Sequence, residues 1–160
     1  MKIISPLILS SLLGVSLVAI PSLVKAQSTI PETQPTAVTS AQTAGLFVNL
    51  TTNDPWRAGM AINFAQESSK RGHPVTIFLN VTAVNLASTT IPQHTNGMTG
   101  KTLQQMLQEL MASGGRVIIC PSCMQQSGIT EAELIEGVQM GSPEITQQQL
   151  FAENVRVLSW

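Results

Sequence analysis

The stretch Arg116–Gly128, RVIICPSCMQQSG, decides the fold of this chain because it predicts a buried strand that ends at a pair of cysteines. Val117–Ile119 is a short β-branched run, which is typical of such a strand. Cys120 and Cys123 are the two cysteines of the protein, and a helical turn is expected to begin between them. The free N–H groups and the dipole of that turn favour a thiolate. We therefore expect the protein's chemistry at the carboxyl end of this strand.

Length and composition limit the class of protein. A chain of 160 residues suits one domain with some length left for tails. The formal net charge is −1 and no basic patch is present, so nucleic acid is not expected as a partner. Only 11% of the residues are charged while 43% are hydrophobic, which suggests that other subunits cover part of the surface.

Residues 1–26 have the pattern of a signal peptide. Lys2 supplies a positive start, Ile3–Ile20 is apolar, and Val24–Ala26 fits the small-residue rule for a cleavage site. An uncleaved membrane anchor is the alternative, because about 18 apolar residues are near the minimum for a membrane span. Either interpretation predicts an exported protein, for example in the bacterial periplasm, with contact to the membrane only if the segment stays uncleaved.

The remaining chain divides into a linker and one domain. Residues 27–44 are rich in Pro, Thr, Ser and Gln without an apolar face, which predicts a flexible tether. The folded domain is expected to span 45–160.

The domain alternates predicted strands with predicted helices. Apolar strands are expected at Leu46–Leu50, Val75–Leu79, Val117–Ile119, Gly137–Met140 and Val155–Leu158. This order predicts an α/β fold, a mostly parallel five-stranded sheet with helices on both faces.

Two of the expected helices have clear apolar patterns. Asp54 is expected to cap a helix that runs from Pro55 to about Lys70. Its expected buried stripe consists of Trp56, Met60, Ala61, Phe64 and Ala65. The stripe of the later helix consists of Leu103, Met106, Leu107, Leu110 and Met111.

Polar loops are expected at the carboxyl ends of the strands, where open parallel sheets place their sites. These loops are Thr51–Asp54, Asn80–Asn85 and Cys120–Cys123, and residues 80–101 are expected to form one long polar connection. The candidate substrate-binding residues are Thr51, Asn53, Asp54, Asn80 and His94.

The CxxC pair allows three interpretations: a structural disulfide, half of a zinc site, or a reactive thiol with a resolving partner. A zinc site needs about four ligands, and the chain offers only His73 and His94 besides the cysteines. A disulfide that closes so short a loop stabilises a fold little. The sequence therefore favours a catalytic pair, Cys120 and Cys123, with Cys120 as the primary thiol, and predicts no metal and no cofactor.

Four stretches resemble the DsrE/DsrF-like family, which includes the TusD-type sulfur-relay subunits. They are GLFVNLTTNDPWRAGMAINFA, GHPVTIFLNVTAVNLAS, GGRVIICPSCMQQSGITEAELIEGV and VRVLSW, and together they span residues 45–160. The resemblance implies a three-layer α/β/α fold and assembly into homotrimers or hexamers. It also implies that a cysteine at the position of Cys120 accepts sulfane sulfur as a persulfide.

Two hypotheses follow, and a third is less supported. The protein is a thiol-based sulfur carrier that exchanges sulfur with donor and acceptor proteins or small sulfur compounds. Alternatively, it is a non-catalytic oligomeric module that binds a ligand or partner and keeps a Cys120–Cys123 disulfide. A thiol–disulfide oxidoreductase is the third, but in thioredoxins the CxxC follows the first strand of the domain, unlike here.

Overall fold

A computed structural model describes residues 43–160 of the protein. The predicted targeting segment and all but the last two residues of the predicted linker lie outside the described residues. Within the described range, no helix is both long enough and apolar enough to cross a membrane.

The described chain forms one five-stranded sheet in the order β4-β3-β2-β1-β5, and every neighbouring pair is parallel. The strands are β1 (Gly45–Leu50), β2 (Val75–Leu79), β3 (Arg116–Ile119), β4 (Gln139–Met140) and β5 (Val155–Ser159). The predicted α/β fold with a parallel five-stranded sheet is therefore confirmed.

Four α-helices connect the strands. They are α1 (Pro55–Lys70), α2 (Leu103–Ala112), α3 (Pro121–Ser127) and α4 (Pro143–Leu150). Helices α1, α2 and α3 contribute side chains to one core on one face of the sheet. Helix α4 lies over the opposite face, where Thr76 Oγ1 donates to Gln149 Oε1 at 3.4 Å.

The alternation of side chains along the strands separates these two faces. In β2, Val75, Ile77 and Leu79 belong to the main core, whereas Thr76 and Phe78 point to the side of α4. The main core is completed by the predicted stripe of α2, with Leu103, Met106, Leu107 and Leu110 buried. Burial on both faces explains why β2 and β3 are almost continuously apolar.

The stripe predicted for α1 is partly wrong. Trp56, Met60 and Phe64 are 80%, 45% and 47% exposed, so they are not in the core. The buried residues of α1 are Ala58, Gly59, Ala61, Ile62 and Ala65. Packing space is the physical reason, because small side chains let α1 approach its neighbours closely. A Cβ on Gly59 would lie 2.7 Å from Asn96 Nδ2.

The connection 80–101 is not one polar loop. Its first part, Val81–Ala87, is a 3-10 helix. Ala83, Val84, Leu86 and Ala87 of this segment are buried in the main core. Polar residues alternate irregularly with these apolar ones and give no clear periodicity, so the sequence alone indicates a solvated loop.

Candidate functional site

The strand β3 delivers Cys120 to the carboxyl end of the sheet. The backbone N–H of Cys120 donates to Leu79 O at 2.9 Å, which extends the pairing with β2 by one residue. Pro121 then begins α3, a position that suits proline because no intrahelical N–H is lost there. Cys120 is the N-cap of α3, and its Sγ accepts a hydrogen bond from the backbone N–H of Cys123 at 3.3 Å.

The first turn of α3 brings the two cysteines together. They form a disulfide, with 5.3 Å between their Cα atoms. Both side chains are partly buried and pack against the main core. Ser122 Oγ lies 3.3 Å from Cys120 Sγ, so a hydroxyl group is within hydrogen-bonding distance of this sulfur.

Cys120 lines an open cavity of about 450 Å³, which we call the Cys pocket. Its lining residues are Phe78, Cys120, Pro121, Ser122, Gly141, Ser142, Pro143, Thr146 and Gln147. Among the described residues that line it, none carries a charge. The wall is therefore apolar, with a few uncharged hydroxyl and amide groups.

The topology of the sheet creates this pocket. The loops after β1, β2 and β3 lead to helices on the core face, whereas the loop after β4 leads to α4 on the opposite face. The neighbouring loops after β3 and β4 thus diverge and leave a crevice, as expected where a parallel sheet reverses its strand order. Cys120 lies in that crevice.

A close backbone approach shapes the loop after β4. Gly141 N donates to Ile119 O at 2.8 Å, and a Cβ on Gly141 would lie 2.8 Å from the same oxygen. Only glycine therefore fits here without a shift of the strand. Ser142 follows and caps α4, because its Oγ accepts from Ile145 N at 3.2 Å.

One carboxylate lies beside the Cys pocket. Glu144 follows Ser142 and Pro143, which line the pocket, and a hydrogen bond from the Ser142 side chain lowers the pKa of Glu144. A hydrogen bond from its own backbone N–H lowers this pKa further. Glu144 is thus ionised at neutral pH and is hydrogen-bonded to Ser142, which lines the pocket.

Three of the predicted substrate-binding residues line a different cavity, which we call the loop cavity. This cavity of about 250 Å³ is lined by Asn53, Asp54, Pro55, Asn85, Leu86, Ile91, Pro92, Gln93, His94 and Leu103. Asp54 also caps α1 there, since its Oδ1 accepts from Arg57 N at 2.9 Å. The loop cavity therefore brings together the ends of β1 and β2, without either cysteine.

The other two predicted residues make structural contacts. Thr51 Oγ1 donates to Trp160 O at 2.6 Å, and Asn80 Nδ2 donates to Asn49 Oδ1 at 2.6 Å. Of the described residues, Thr51, Asn53, Asp54, Asn80 and His94 are all outside the lining of the Cys pocket. Their role toward a substrate stays a prediction.

Sequence reasoning missed the residues that actually surround Cys120. Phe78 comes from β2, Ser142 caps α4, and Thr146 and Gln147 belong to α4. One signal was available, since the Gly141-Ser142-Pro143 turn follows the fourth strand at the same edge of the sheet.

Metal-ligating residues do not gather in the described part of the chain, where no group of three or more His, Cys, Asp or Glu could hold an ion. His73 Nδ1 lies 2.7 Å from Ala44 O, at the start of β1, and His94 belongs to the loop cavity.

Comparison with known proteins agrees with this fold. A model of the DsrE/DsrF-like family matches residues 45–159. No curated protein matches the sequence.

Two solved structures are similar to this chain in fold. Protein MTH1491 from Methanobacterium thermoautotrophicum, titled as a protein of unknown function, is 16% identical with a TM-score of 0.59. The match covers 73% of this chain and 99% of that one. The ychN protein from E. coli is 23% identical with a TM-score of 0.55, covering 74% of this chain and all of that one. At these identities the likeness concerns the fold.

Proposed function

Since this chain belongs to the DsrE/DsrF-like family, we propose that it is an exported thiol-based sulfur carrier in which Cys120 holds sulfane sulfur as a persulfide. The position of Cys120 supports this role most strongly. Its sulfur is at the end of a buried strand, on the wall of an open pocket, with a second cysteine within bonding reach.

Loading starts from the dithiol form of the protein. The Cys120 thiolate attacks the sulfane sulfur of a donor, the bond between this sulfur and the donor breaks, and the donor leaves as its anion. Hydrogen bonds from the Cys123 N–H and the Ser122 hydroxyl would stabilise the attacking thiolate. Exchange of this kind depends on the thiolate fraction and on access to the sulfur.

Two routes empty the carrier. An acceptor thiolate attacks the outer sulfur, receives it as a persulfide and returns the Cys120 thiolate. Alternatively, the Cys123 thiolate attacks the inner sulfur of Cys120 and releases hydrosulfide, which leaves the Cys120–Cys123 disulfide. Both routes conserve atoms and electrons, because in the second the sulfane sulfur is reduced while two thiols are oxidised.

The test of loading uses the reduced protein with thiosulfate or polysulfide, and intact mass as the readout. Wild type and Cys123→Ser should gain the mass of one sulfur atom, whereas Cys120→Ser should not. Each single variant keeps one cysteine, so the assignment is unambiguous. Absence of an adduct with every donor would refute the carrier.

A non-catalytic binding module is the second candidate. Two observations favour it: the cysteines are bonded to each other, and the loop cavity is a separate concave site lined by uncharged and charged polar groups. This candidate becomes the better one if reduced Cys120 takes up no sulfur.

Export and assembly complete the proposal. Export rests on the sequence of residues 1–26, and mass analysis of the protein's N-terminus after expression in a bacterial host decides between cleavage after Ala26 and an anchor. We further propose a homo-oligomer, a trimer or hexamer as the family resemblance implies. The exposed apolar stripe of Trp56, Met60 and Phe64 on α1 supports assembly.

A further inference from the structure

We propose that the oxidised form of the Cys pocket takes up hydrogen sulfide directly, so that the Cys120–Cys123 disulfide becomes a Cys120 persulfide and a Cys123 thiol. The inference rests on the proposed function in one respect, namely that Cys120 is the sulfur-carrying residue. It adds a second substrate class: besides sulfane donors that load the dithiol, free sulfide loads the disulfide.

The reaction balances without any further oxidant. Hydrosulfide attacks Cys120 Sγ, a new sulfur–sulfur bond forms, and the bond to Cys123 Sγ breaks. Cys123 leaves as a thiolate that takes up a proton from solvent. This step is the reverse of the second emptying route, and an excess of sulfide drives it toward the persulfide. The disulfide is reduced by two electrons, and the incoming sulfide is oxidised to sulfane sulfur.

The surroundings of the two sulfurs decide which one is attacked. Cys120 lines the Cys pocket, whereas Cys123 is not among its lining residues in the described chain. A nucleophile that enters the pocket therefore meets Cys120 first. Attack on Cys120 also adds the new outer sulfur to a residue of the pocket wall, which Thr146 and Gln147 line as well.

The charge and polarity of the pocket favour sulfide over larger thiols. Phe78, Pro121 and Pro143 form apolar walls, and no positive charge lines the pocket among the described residues. Glu144 follows the lining residue Pro143 and is hydrogen-bonded to the lining residue Ser142, so its carboxylate adds a negative charge close to the pocket. Hydrogen sulfide enters such a pocket in its uncharged form and gives its proton to solvent before it attacks as hydrosulfide, whereas a carboxylated thiol brings a permanent negative charge into this site.

The deciding experiment treats the fully oxidised protein with sodium sulfide in the absence of oxygen and of any sulfane donor. After alkylation, peptide mass spectrometry should find one added sulfur on Cys120 and a newly alkylated Cys123. No added sulfur, or added sulfur on Cys123, would overturn the proposal.

Two controls separate this inference from the proposed function. Reduced wild type in the same sulfide solution should gain nothing, because the oxidant is missing; a gain would mean that contaminating polysulfide causes the effect. Cys123→Ser cannot form the disulfide and should load from polysulfide but not from sulfide. If Cys123→Ser gains sulfur from polysulfide while oxidised wild type gains none from sulfide, the uptake of sulfide is refuted and the carrier function stands.

The preference for sulfide over a carboxylated thiol is tested with a variant of Glu144. Oxidised wild type should open faster with sulfide than with 3-mercaptopropionate at equal thiolate concentration. Glu144→Gln should raise the rate with 3-mercaptopropionate roughly two- to threefold at low ionic strength, because one repulsive charge is removed. Glu153→Gln, an exposed carboxylate outside the Cys pocket, is the matched control. Equal rates in both variants would contradict the role of Glu144.

Discussion

Cys120 differs from an ordinary exposed thiol because two groups of its own helix turn lie beside its sulfur. The backbone N–H of Cys123 donates to Sγ, and Ser122 Oγ lies 3.3 Å away. In the thiolate state a hydroxyl at this distance acts as a donor, since the sulfur has no proton to give. We therefore expect the Ser122 hydroxyl to stabilise the Cys120 thiolate.

Replacement of Ser122 by alanine should slow the reaction of reduced Cys120. Loss of one hydrogen bond to a charged acceptor should lower the rate of alkylation at neutral pH about three- to tenfold. The measurement is the rate of iodoacetamide labelling in a Cys123→Ser background. Ser127→Ala, at the other end of α3, should leave the rate unchanged; an equal effect in both variants would point to helix stability instead.

Single residues of the site were only partly predictable from the sequence. Cys120 was accessible to prediction because strand, proline and CxxC spacing are local patterns. Thr146 and Gln147 were not, because their approach to Cys120 depends on the face of the sheet that α4 covers. The position of His94 also depends on how distant loops fold together, and it lies with Asn53 and Asp54 in the loop cavity and not beside Cys120.

Helix α2 packs closely against the turn that follows it. Leu110 is fully buried, and a Cβ on Gly115 would lie 2.6 Å from Leu110 Cγ. Gly114 takes a φ of +91°, a conformation that favours glycine and turns the chain into β3. The position of the Cys strand therefore depends on the packing of this helix end.

Truncation of Leu110 to alanine should cost about 2–5 kcal/mol of unfolding free energy, because it leaves a cavity in the core. Urea unfolding of the oxidised protein measures this cost. Gln108→Ala, on the exposed side of the same helix, should change stability little. Similar losses in the two variants would contradict the assignment of the buried face.

The short turn Glu131–Glu133 gives the fold a defined dependence on pH. Glu133 Oε2 accepts from the backbone N–H and from Oγ1 of Thr130, both at 2.7 Å. These hydrogen bonds lower the pKa of Glu133, the backbone one having the larger effect. The stabilisation is therefore present above the ordinary carboxyl pKa and is lost as the pH falls through the lowered one.

Glu133→Gln should be less stable than wild type at neutral pH, and this difference should disappear in acid. Urea midpoints between neutral pH and about pH 3 test the prediction. Glu136→Gln, an exposed carboxyl in the same connection, serves as the control. A difference between wild type and Glu133→Gln that persists at the lowest pH would rule out the charge-dependent explanation.

Elements with strong local patterns were predicted well, and those with competing patterns were not. The Asp54 cap and the stripe of α2 specify their helices directly. In α1, Trp56, Met60 and Phe64 share one face at helical spacing, but Ala58, Ala61 and Ile62 make another. Periodicity alone does not tell which apolar face the sheet covers.

On the scale of the whole molecule, the two faces of the sheet are covered unequally. Three helices and the 3-10 segment Val81–Ala87 pack on the core face. The opposite face has α4, an element in which the described side chains are at most partly buried. Phe151 and Val157 are exposed on the elements that flank this side. The alternation of strands and helices made the parallel sheet predictable. The unequal covering was not predictable, because it follows from the order of the strands in the sheet.

The exposed stripe of α1 predicts how assembly responds to mutation. Trp56→Ser should weaken a homo-oligomer that uses this stripe, because it removes the most exposed large apolar side chain in the described part of the chain. Light scattering coupled to size-exclusion chromatography gives the mass of the particle. Phe151→Ser, an equally exposed aromatic outside α1, is the matched control. A mass unaffected by Trp56→Ser but lowered by Phe151→Ser would place the interface on the α4 side.

Transfer of sulfur from Cys120 to another thiol is the decisive property of a sulfur carrier. Cys123→Ser is loaded with polysulfide, freed of donor, and mixed with an equimolar acceptor thiol, while intact masses of both partners are followed. We predict that the protein loses one sulfur atom and that the acceptor gains one, whereas Cys120→Ser transfers none. Equal transfer by Cys120→Ser, or no loading of Cys123→Ser, would contradict the assignment of Cys120 as the sulfur carrier.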